Sequence, residues 1–217
     1  MSRPAAERRE ELIRLYRELN VERGCPLAAA RTNIVFGMGN ADADLMFVGE
    51  APGRNEDLQG KPFVGQAGQL LDTLLGEIRL DRSEVFIANI LMCRPPGNRD
   101  PQPDEIEECM PYLLRKIQLI EPKVICTLGN YATKALTKRP EGITRMCGRV
   151  QERDIAGLSV KVYPLFHPAA ALRTPSVLER LRADVSRLPD LLERERALCP
   201  PEEQALAAAA SQLDLFG

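Results

Sequence analysis

A glycine-rich stretch at residues 49–72, GEAPGRNEDLQGKPFVGQAGQLLD, holds the residues of this sequence that are best suited to chemistry. Its five glycines allow tight turns and a close approach of the backbone to a bound molecule, because glycine has no Cβ. Glu50 and Glu56 supply carboxylates, and Phe63 supplies a flat apolar face. The pattern favours a ligand-binding loop; the alternative is a surface loop whose acidic side chains are solvated.

The cysteine and histidine content limits the sites that the chain could build. The sequence has six cysteines and one histidine, and its charged N-terminus has no apolar signal-peptide core. We therefore expect a cytoplasmic, reducing location, where six cysteines indicate buried thiols or metal ligands rather than a disulfide framework. The single histidine excludes any site that needs two.

Hydrophobic periodicity predicts the elements that must position these residues. Helices are predicted at residues 5–20, 70–78, 103–120, 130–136 and 175–195. Strands are predicted at residues 44–49, 84–90 and 123–129, with one or two more within 150–162. Strands that alternate with helices in this way indicate an α/β fold with a parallel sheet covered on both faces. We expect one domain over residues 1–195 and a flexible tail over 196–217.

The unusual loops all follow predicted strands. They begin after Gly49, after Asn89 and after Phe166, and the last contains the lone His167. In open α/β sheets ligands bind beyond the carboxyl ends of the strands, so these loops should meet at one site.

Charge and hydropathy exclude some partners. Lys and Arg total 29 against 31 Asp and Glu, so nucleic-acid binding would have to depend on local basic patches. No apolar run reaches the roughly 18 residues that a membrane-spanning helix needs. We expect a monomer that does not bind a membrane.

Five stretches in order along the chain carry a family resemblance: residues 31–40 (RTNIVFGMGN), 49–71, 89–101 (NILMCRPPGNRDP), 103–109 (PDEIEEC) and 165–173 (LFHPAAALR). Over about residues 20–190 the chain resembles the family 4 uracil-DNA glycosylases, the iron–sulfur branch of their superfamily. The resemblance implies a three-layer α/β/α fold with a central, mostly parallel four-stranded sheet. It also implies hydrolysis of the N-glycosidic bond of deoxyuridine in DNA, which releases uracil, leaves an abasic site and initiates base excision repair. The base must first leave the stack.

The resemblance also implies how the base is bound. Phe63 would stack on the flipped base, and the Asn89 amide would accept from uracil N3–H and donate to O4. His167 would hydrogen-bond O2, where negative charge accumulates as the base departs. Backbone contacts would come from Gly49, Ala51 and Gly53. The alternatives are a core aromatic for Phe63, a turn cap for Asn89 and a structural role for His167.

Glu50 is the candidate catalytic carboxylate. In better-studied relatives a catalytic Asp follows the residue that matches Glu50, whereas this chain has Ala51 there. We therefore expect Glu50 to orient water or to stabilise the cationic sugar. Glu56 would act through Asn89 or His167 by aligning one of them.

The family holds a 4Fe–4S cluster on four cysteines. Cys25, Cys93 and Cys109 match three of these ligands, but Glu22 stands where the fourth belongs. A carboxylate is a harder ligand than a thiolate, so three alternatives remain: Glu22 ligates iron, the fourth iron is solvent-bound or lost, or the cluster is absent. Zinc on the same three cysteines is a weaker alternative. Cys126, Cys147 and Cys199 match no ligand position.

Basic residues near the predicted loops are candidates for DNA contacts, with ordinary solvated surface charge as the alternative. They are Lys61, Arg94, Arg99, Arg145, Arg149 and Arg173. Leu172 or Arg173 is the candidate for a wedge inserted into the helix. The chain ends in QLDLFG, and Gln212, Leu213, Leu215 and Phe216 resemble the pentapeptide that docks on the bacterial sliding clamp.

The sequence argues against two other functions. One relative forms a covalent bond to the abasic product through a histidine in an inserted loop, but residues 93–99 contain neither an insertion nor a histidine. The other is a DNA-binding module with little catalysis, which would bind uracil-containing DNA without releasing the base. Glu50, Asn89 and His167 all being present argues against it.

Overall fold

The computed structural model describes residues 4–21 and 25–197. Within these ranges no helix is both long enough and apolar enough to cross a membrane. Of the predicted tail, residues 198–217 lie outside the described part, and the single-domain boundary at residue 195 stays a prediction.

Within the described residues, six strands form one sheet. They are β1 (Met38–Gly39), β2 (Leu45–Gly49), β3 (Phe86–Asn89), β4 (Val124–Leu128), β5 (Gln151–Ile155) and β6 (Leu158–Leu165). The spatial order is β1-β3-β2-β4-β6-β5. The four central strands β3, β2, β4 and β6 are parallel, and β1 and β5 pair antiparallel at the edges. The predicted parallel sheet of four strands is confirmed as the centre of a six-stranded mixed sheet.

Nine α-helices lie in the same described ranges. They are α1 (Ala5–Val21), α2 (Arg54–Gln59), α3 (Gln66–Glu77), α4 (Pro103–Ile120), α5 (Asn130–Thr137), α6 (Ile143–Met146), α7 (Pro168–Ala171), α8 (Pro175–Val185) and α9 (Leu188–Ala197). Two separate hydrophobic clusters lie on the two sides of the sheet. Along β2, Met46 belongs to the cluster with α1, α4 and α5, whereas Phe47 belongs to the cluster with α3, α8 and α9. Alternate residues of a strand point to opposite faces, so the predicted three-layer α/β/α arrangement is confirmed.

The predicted elements match best where the apolar periodicity is long. Helix α4 begins and ends at the predicted residues, with Pro103 at its start, where the lost N–H costs nothing. The predicted helix at residues 175–195 is instead two helices, α8 and α9, which are separated at residues 186–187. The short α2 and β1 were not predicted, because six and two residues carry too little periodicity to be recognised.

Parallel pairing brings the predicted loops to one edge of the sheet. Gly49 and Asn89 are register partners at the ends of β2 and β3. Strand β6 ends at Leu165, whose carbonyl accepts from Gly129 N–H just after β4. The segment containing His167 therefore starts beside the end of β4, at the same edge of the sheet as the loops that follow β2 and β3.

Candidate active site

A cavity of about 490 Å³ opens at the carboxyl ends of β2, β3 and β6. This volume is typical of small-molecule sites. Most of the predicted site residues line it: Glu50, Ala51, Gly53, Glu56, Phe63, Asn89, His167 and Arg173. The structure thus brings together residues that are more than 100 positions apart in the sequence.

Asn89 is buried at the end of β3, with only 2% of its surface exposed. Asn89 lines the cavity, and its buried Oδ1 atom has no hydrogen-bond partner within the described residues. A Cβ at Gly49 would overlap this oxygen and would lie 2.8 Å from two ring carbons of Phe63. Only glycine at position 49 therefore lets the amide and the aromatic ring reach the same side of the cavity. The unpaired acceptor indicates a ligand that donates a hydrogen bond, because burying an unpaired polar atom is costly.

Phe63 and His167 form a stacked pair in the cavity wall. Their ring centroids are 5.6 Å apart, with an angle of 28° between the ring planes. Phe63 is buried and has a φ of 51°, a left-handed conformation that bulky residues rarely adopt. Such a conformation persists when its surroundings hold it, and it is common at binding sites.

Three groups hold the turn at Phe63. Glu56 Oε1 accepts from the N–H groups of Val64 and Gly65, each at 2.9 Å. Arg82 donates to the Phe63 carbonyl at 2.9 Å and also to the Pro62 carbonyl. Gly68 packs directly on the Phe63 carbonyl, where a Cβ would collide.

Glu56 therefore has a different role from the one expected. Among the described contacts, its hydrogen bonds go to the Phe63 turn, and it has none to Asn89 or His167. The physical reason is that the turn presents two backbone N–H groups to one carboxylate oxygen, an arrangement that sequence spacing does not reveal. Its negative charge still reaches His167 and favours the protonated imidazole.

His167 is held as a neutral imidazole with a defined tautomer. Burial lowers its pKa to about 4, despite the opposing charge of Glu56. Its Nδ1 atom accepts from Ala169 N–H at 3.1 Å. A neutral imidazole whose Nδ1 accepts carries its proton on Nε2, so Nε2 is the nitrogen that can donate to a ligand. The sequence could not distinguish the two nitrogens.

Glu50 is half-buried in the cavity, and its pKa is raised by burial and by the nearby negative charge of Asp100. The Tyr131 hydroxyl donates to Asp100, and this hydrogen bond raises the pKa of Tyr131. Asp100 and Tyr131 were not among the predicted site residues. Asp100 lies within the NRDP motif and could have been suspected, whereas Tyr131 follows β4 and carries no local signal.

Three of the predicted metal ligands come together. The Cys25 thiol has a lowered pKa because Cys109 and Cys93 donate hydrogen bonds to it. The pKa values of Cys93 and Cys109 are raised by the same hydrogen bonds and by burial. Within residues 4–21 and 25–197, no group of three or more His, Cys, Asp or Glu residues forms a site for a metal ion. Glu22 lies outside the described residues.

Two basic side chains lie near the cysteines. Arg31 Nη1 donates to Cys93 Sγ at 3.1 Å. Lys116 is fully buried two helical turns beyond Cys109 on α4, and Lys side chains in helices point back toward the N-terminus. Its Nζ donates to the Phe36 carbonyl at 2.7 Å and lies 4.7 Å from the Phe36 ring centroid. Burial lowers the pKa of Lys116 to about 7, so of these two side chains only Arg31 carries a full positive charge beside the thiols at neutral pH.

The predicted DNA-contacting residues are divided among three clefts and two further positions. Arg99 and Arg173 line the main cavity. Arg145 and Arg149 line a second cleft of about 340 Å³, and Lys61 lies in a third cleft of about 230 Å³. The remaining candidates are Arg94, which donates to Asn98 at 2.6 Å, and Leu172, which is 49% exposed. Gln212, Leu213, Leu215 and Phe216 lie outside the described residues.

Comparison with known proteins gives concordant matches. A model of the uracil DNA glycosylase superfamily matches residues 36–191. The type-4 uracil-DNA glycosylase of Archaeoglobus fulgidus is 43% identical over 191 residues, which cover 86% of this chain and 96% of that protein. The Saccharolobus solfataricus type-4 uracil-DNA glycosylase is 47% identical over 173 residues, covering 77% and 80% respectively. That of Thermotoga maritima is 44% identical over 171 residues, covering 77% and 87%.

Proposed function

Because the chain belongs to the type-4 uracil-DNA glycosylases of the uracil DNA glycosylase superfamily, we propose how its own residues perform that reaction. The enzyme acts in DNA repair and hydrolyses the N-glycosidic bond of deoxyuridine, giving free uracil and an abasic site. The observation that carries the assignment of residues is the buried, unpaired Oδ1 of Asn89 in the cavity.

Asn89 selects uracil by its hydrogen-bonding pattern. Its Oδ1 accepts from N3–H and its Nδ2 donates to O4 of a base that enters the cavity. Cytosine has an acceptor at N3 and a donor at the exocyclic amine. The acceptor Oδ1 would then face an acceptor, and the donor Nδ2 would face a donor. Because a site that leaves buried polar groups unpaired rejects such an analogue strongly, cytosine is excluded.

Phe63 and His167 make different contacts with the base. The Phe63 ring provides a stacking surface, an interaction worth about 1–3 kcal/mol per base. His167 donates from Nε2 to uracil O2, where negative charge builds up as the glycosidic bond breaks. The imidazole is neutral near pH 7, because its pKa is about 4, and its one N–H, on Nε2, is free to donate because Nδ1 accepts from Ala169 N–H.

Glu50 is the group that faces the sugar. Its carboxylate orients a water molecule toward C1′ and stabilises the positive charge that develops on the sugar. The location that raises its pKa, buried and near Asp100, also makes it a better proton acceptor than a solvated glutamate.

Substitution of Asn89 tests this assignment. We expect Asn89→Ala to slow single-turnover uracil release by roughly 30- to 1000-fold, because two buried hydrogen bonds are lost. Asn55→Ala is the matched control, since Asn55 is an exposed asparagine outside the residues that line the cavity. Both variants are compared on uracil-containing oligonucleotides, with melting temperature as the measure of folding. Equal rates for Asn89→Ala and the wild type would refute the assignment.

The type-4 family is the iron–sulfur family, and we infer that Cys25, Cys93 and Cys109 hold a 4Fe–4S cluster in this chain. The support is the chemistry of the donor set: three thiols meet, one of them favours the thiolate, and the Arg31 guanidinium donates to Cys93. Soft thiolates suit such a cluster, and the charge of Arg31 offsets part of its negative charge. Glu22 is the proposed fourth ligand. When bound, the cluster supplies a structural link between the N-terminal segment and α4, and hydrolysis needs no electron from it.

Iron content tests the ligands. Anaerobically purified protein should contain about four irons per chain and absorb in the visible range. Glu22→Ala should lower the iron content, and Cys25→Ser should lower it further, whereas Cys147→Ala should leave it unchanged. A colourless, active wild-type protein without iron would exclude the cluster, and zinc in its place would favour a mononuclear site.

We propose that the basic residues at the cavity and in the second cleft bind DNA phosphates. Arg99 and Arg173 lie at the base pocket, and Arg145 and Arg149 extend the positive charge along the face. Charge reversal at Arg149 should weaken DNA binding and reduce its salt dependence, with little effect on single-turnover chemistry at saturating enzyme. An unchanged affinity would assign Arg149 to ordinary surface charge.

We also propose that the C-terminal QLDLF sequence docks on the sliding clamp, on the basis of its sequence pattern alone. A synthetic peptide of residues 208–217 should bind purified clamp, and a Leu215→Ala, Phe216→Ala peptide should not. Equal binding of both peptides would contradict the proposal.

A further inference from the structure

The buried carboxylate of Asp57 connects two parts of the molecule that carry different predicted functions. Asp57 lies in α2, next to Glu56, and is only 4% exposed. Its Oδ1 accepts from Thr32 N–H at 2.8 Å and from Asn33 N–H at 3.4 Å. These residues directly follow Arg31, whose side chain binds Cys93.

A second pair of hydrogen bonds joins the same two segments, with donors from Asn33 and acceptors in α2. The Asn33 side chain donates to the carbonyls of Asp57 at 2.9 Å and Leu58 at 3.1 Å. Residues 32–33 and α2 are therefore joined by four hydrogen bonds, although about 25 residues separate them in the chain. Helix α2 has only six residues, so such tertiary contacts must fix its position.

The position of α2 in turn sets the position of Phe63. Glu56 reaches from α2 to the backbone of Val64 and Gly65, and so fixes the turn in which Phe63 has its left-handed conformation. A displacement of α2 would move the Glu56 carboxylate and release the turn. Asn89 and His167, which are placed by β3 and by the segment after β6, would stay in position.

We propose that Asp57 is a positioning residue for base binding, which acts through Glu56 on the stacking surface of Phe63. The proposal rests on the role given to Phe63 above. It assigns to Asp57 an effect on substrate binding rather than on bond cleavage, because Glu50 and His167 do not depend on α2 for their placement.

A double-mutant cycle tests the proposal with the full-length enzyme and a uracil-containing oligonucleotide. Asp57→Ala should raise KM about tenfold, as expected for loss of a buried hydrogen-bond acceptor, and should change kcat by less than about threefold. Asp57→Asn keeps the acceptor and should restore the wild-type KM. Gln59→Ala, an exposed position on the same helix, is the matched control and should not change KM.

The double-mutant cycle with Phe63→Ala shows whether Asp57 affects base binding through Phe63. If Asp57 acts through Phe63, Asp57→Ala should have no further effect on KM in the Phe63→Ala background, because coupled residues are not additive. Full additivity would overturn the proposal, as would a wild-type KM for Asp57→Ala. If Phe63→Ala itself leaves KM unchanged, the stacking role fails instead. Asn33→Ala breaks the same contact at an exposed residue, and it replaces Asp57→Ala if the latter does not fold.

Discussion

Adding one methyl group at Gly49 should disable the pocket without altering any polar group. The Cβ of Gly49→Ala would overlap Asn89 Oδ1 and lie 2.8 Å from Cε2 and Cζ of Phe63, distances that real contacts do not reach. Gly49 does not have a positive φ, so the backbone itself accepts alanine. The cost is therefore steric and falls on two groups that we assign to uracil binding.

The size of the expected loss in activity can be estimated from the displacement of Asn89 and Phe63. Asn89 is fixed at the strand end that pairs with Gly49, and Phe63 is confined by His167, so neither can shift without losing its alignment. Losing the stacking costs about 1–3 kcal/mol, and losing the amide contacts costs a similar amount. Together these predict a decrease of roughly 30-fold to 10⁴-fold in kcat/KM. Overpacking should also lower the free energy of unfolding by about 1–3 kcal/mol.

Single-turnover uracil release and urea denaturation measure the two effects. Gly76→Ala is the control, because a Cβ there meets nothing within 4 Å and the residue lies in helix α3. That variant should keep full activity and gain up to about 1 kcal/mol of stability. A Gly49→Ala enzyme with wild-type activity would refute the steric argument and the placement of Asn89 and Phe63 in the base pocket.

Three further predictions concern titration and the Phe63 turn. The pKa of His167 is lowered from 6.5 in the unfolded chain to about 4 in the folded chain, so between these pH values only the unfolded chain binds the proton. The free energy of unfolding should therefore decrease as the pH falls from about 6.5 to about 4. Urea denaturation at several pH values should show this decrease in the wild type and a smaller one in His167→Gln. Asp100→Asn should move the acidic limb of the pH–rate profile to lower pH, since Asp100 helps to raise the pKa of Glu50; an unmoved limb would mean that another group controls it. Arg82→Ala should raise KM several-fold with little change in kcat, because it frees the Phe63 carbonyl, and an equal loss in both constants would contradict a role limited to the turn.

Long apolar patterns allowed the layers of the fold to be predicted. Helix α4 and strands β2 and β4 carry periodic or continuous apolar residues, and these elements formed close to the expected residues. The break between α8 and α9 was missed because Val185 and Leu188 keep the helical apolar spacing across it, although Pro189 at the start of α9 is a local signal for a break. Helix α2 was missed because six residues carry too little periodicity, and its placement depends on Asp57, whose carboxylate contacts residues 32–33, about 25 positions away.

The sequence alone determined which chemical groups the site contains. Glu50 follows a glycine, Asn89 ends a strand and His167 is the single histidine, and each side chain type has a small set of chemical roles. Tertiary structure decided how those groups are used. It placed the His167 proton on Nε2, turned Glu56 toward the Phe63 backbone, and brought Asp100 within electrostatic reach of Glu50. Hydrogen-bond partners and burial arise from residues brought together by the parallel strands, and no local pattern specifies them.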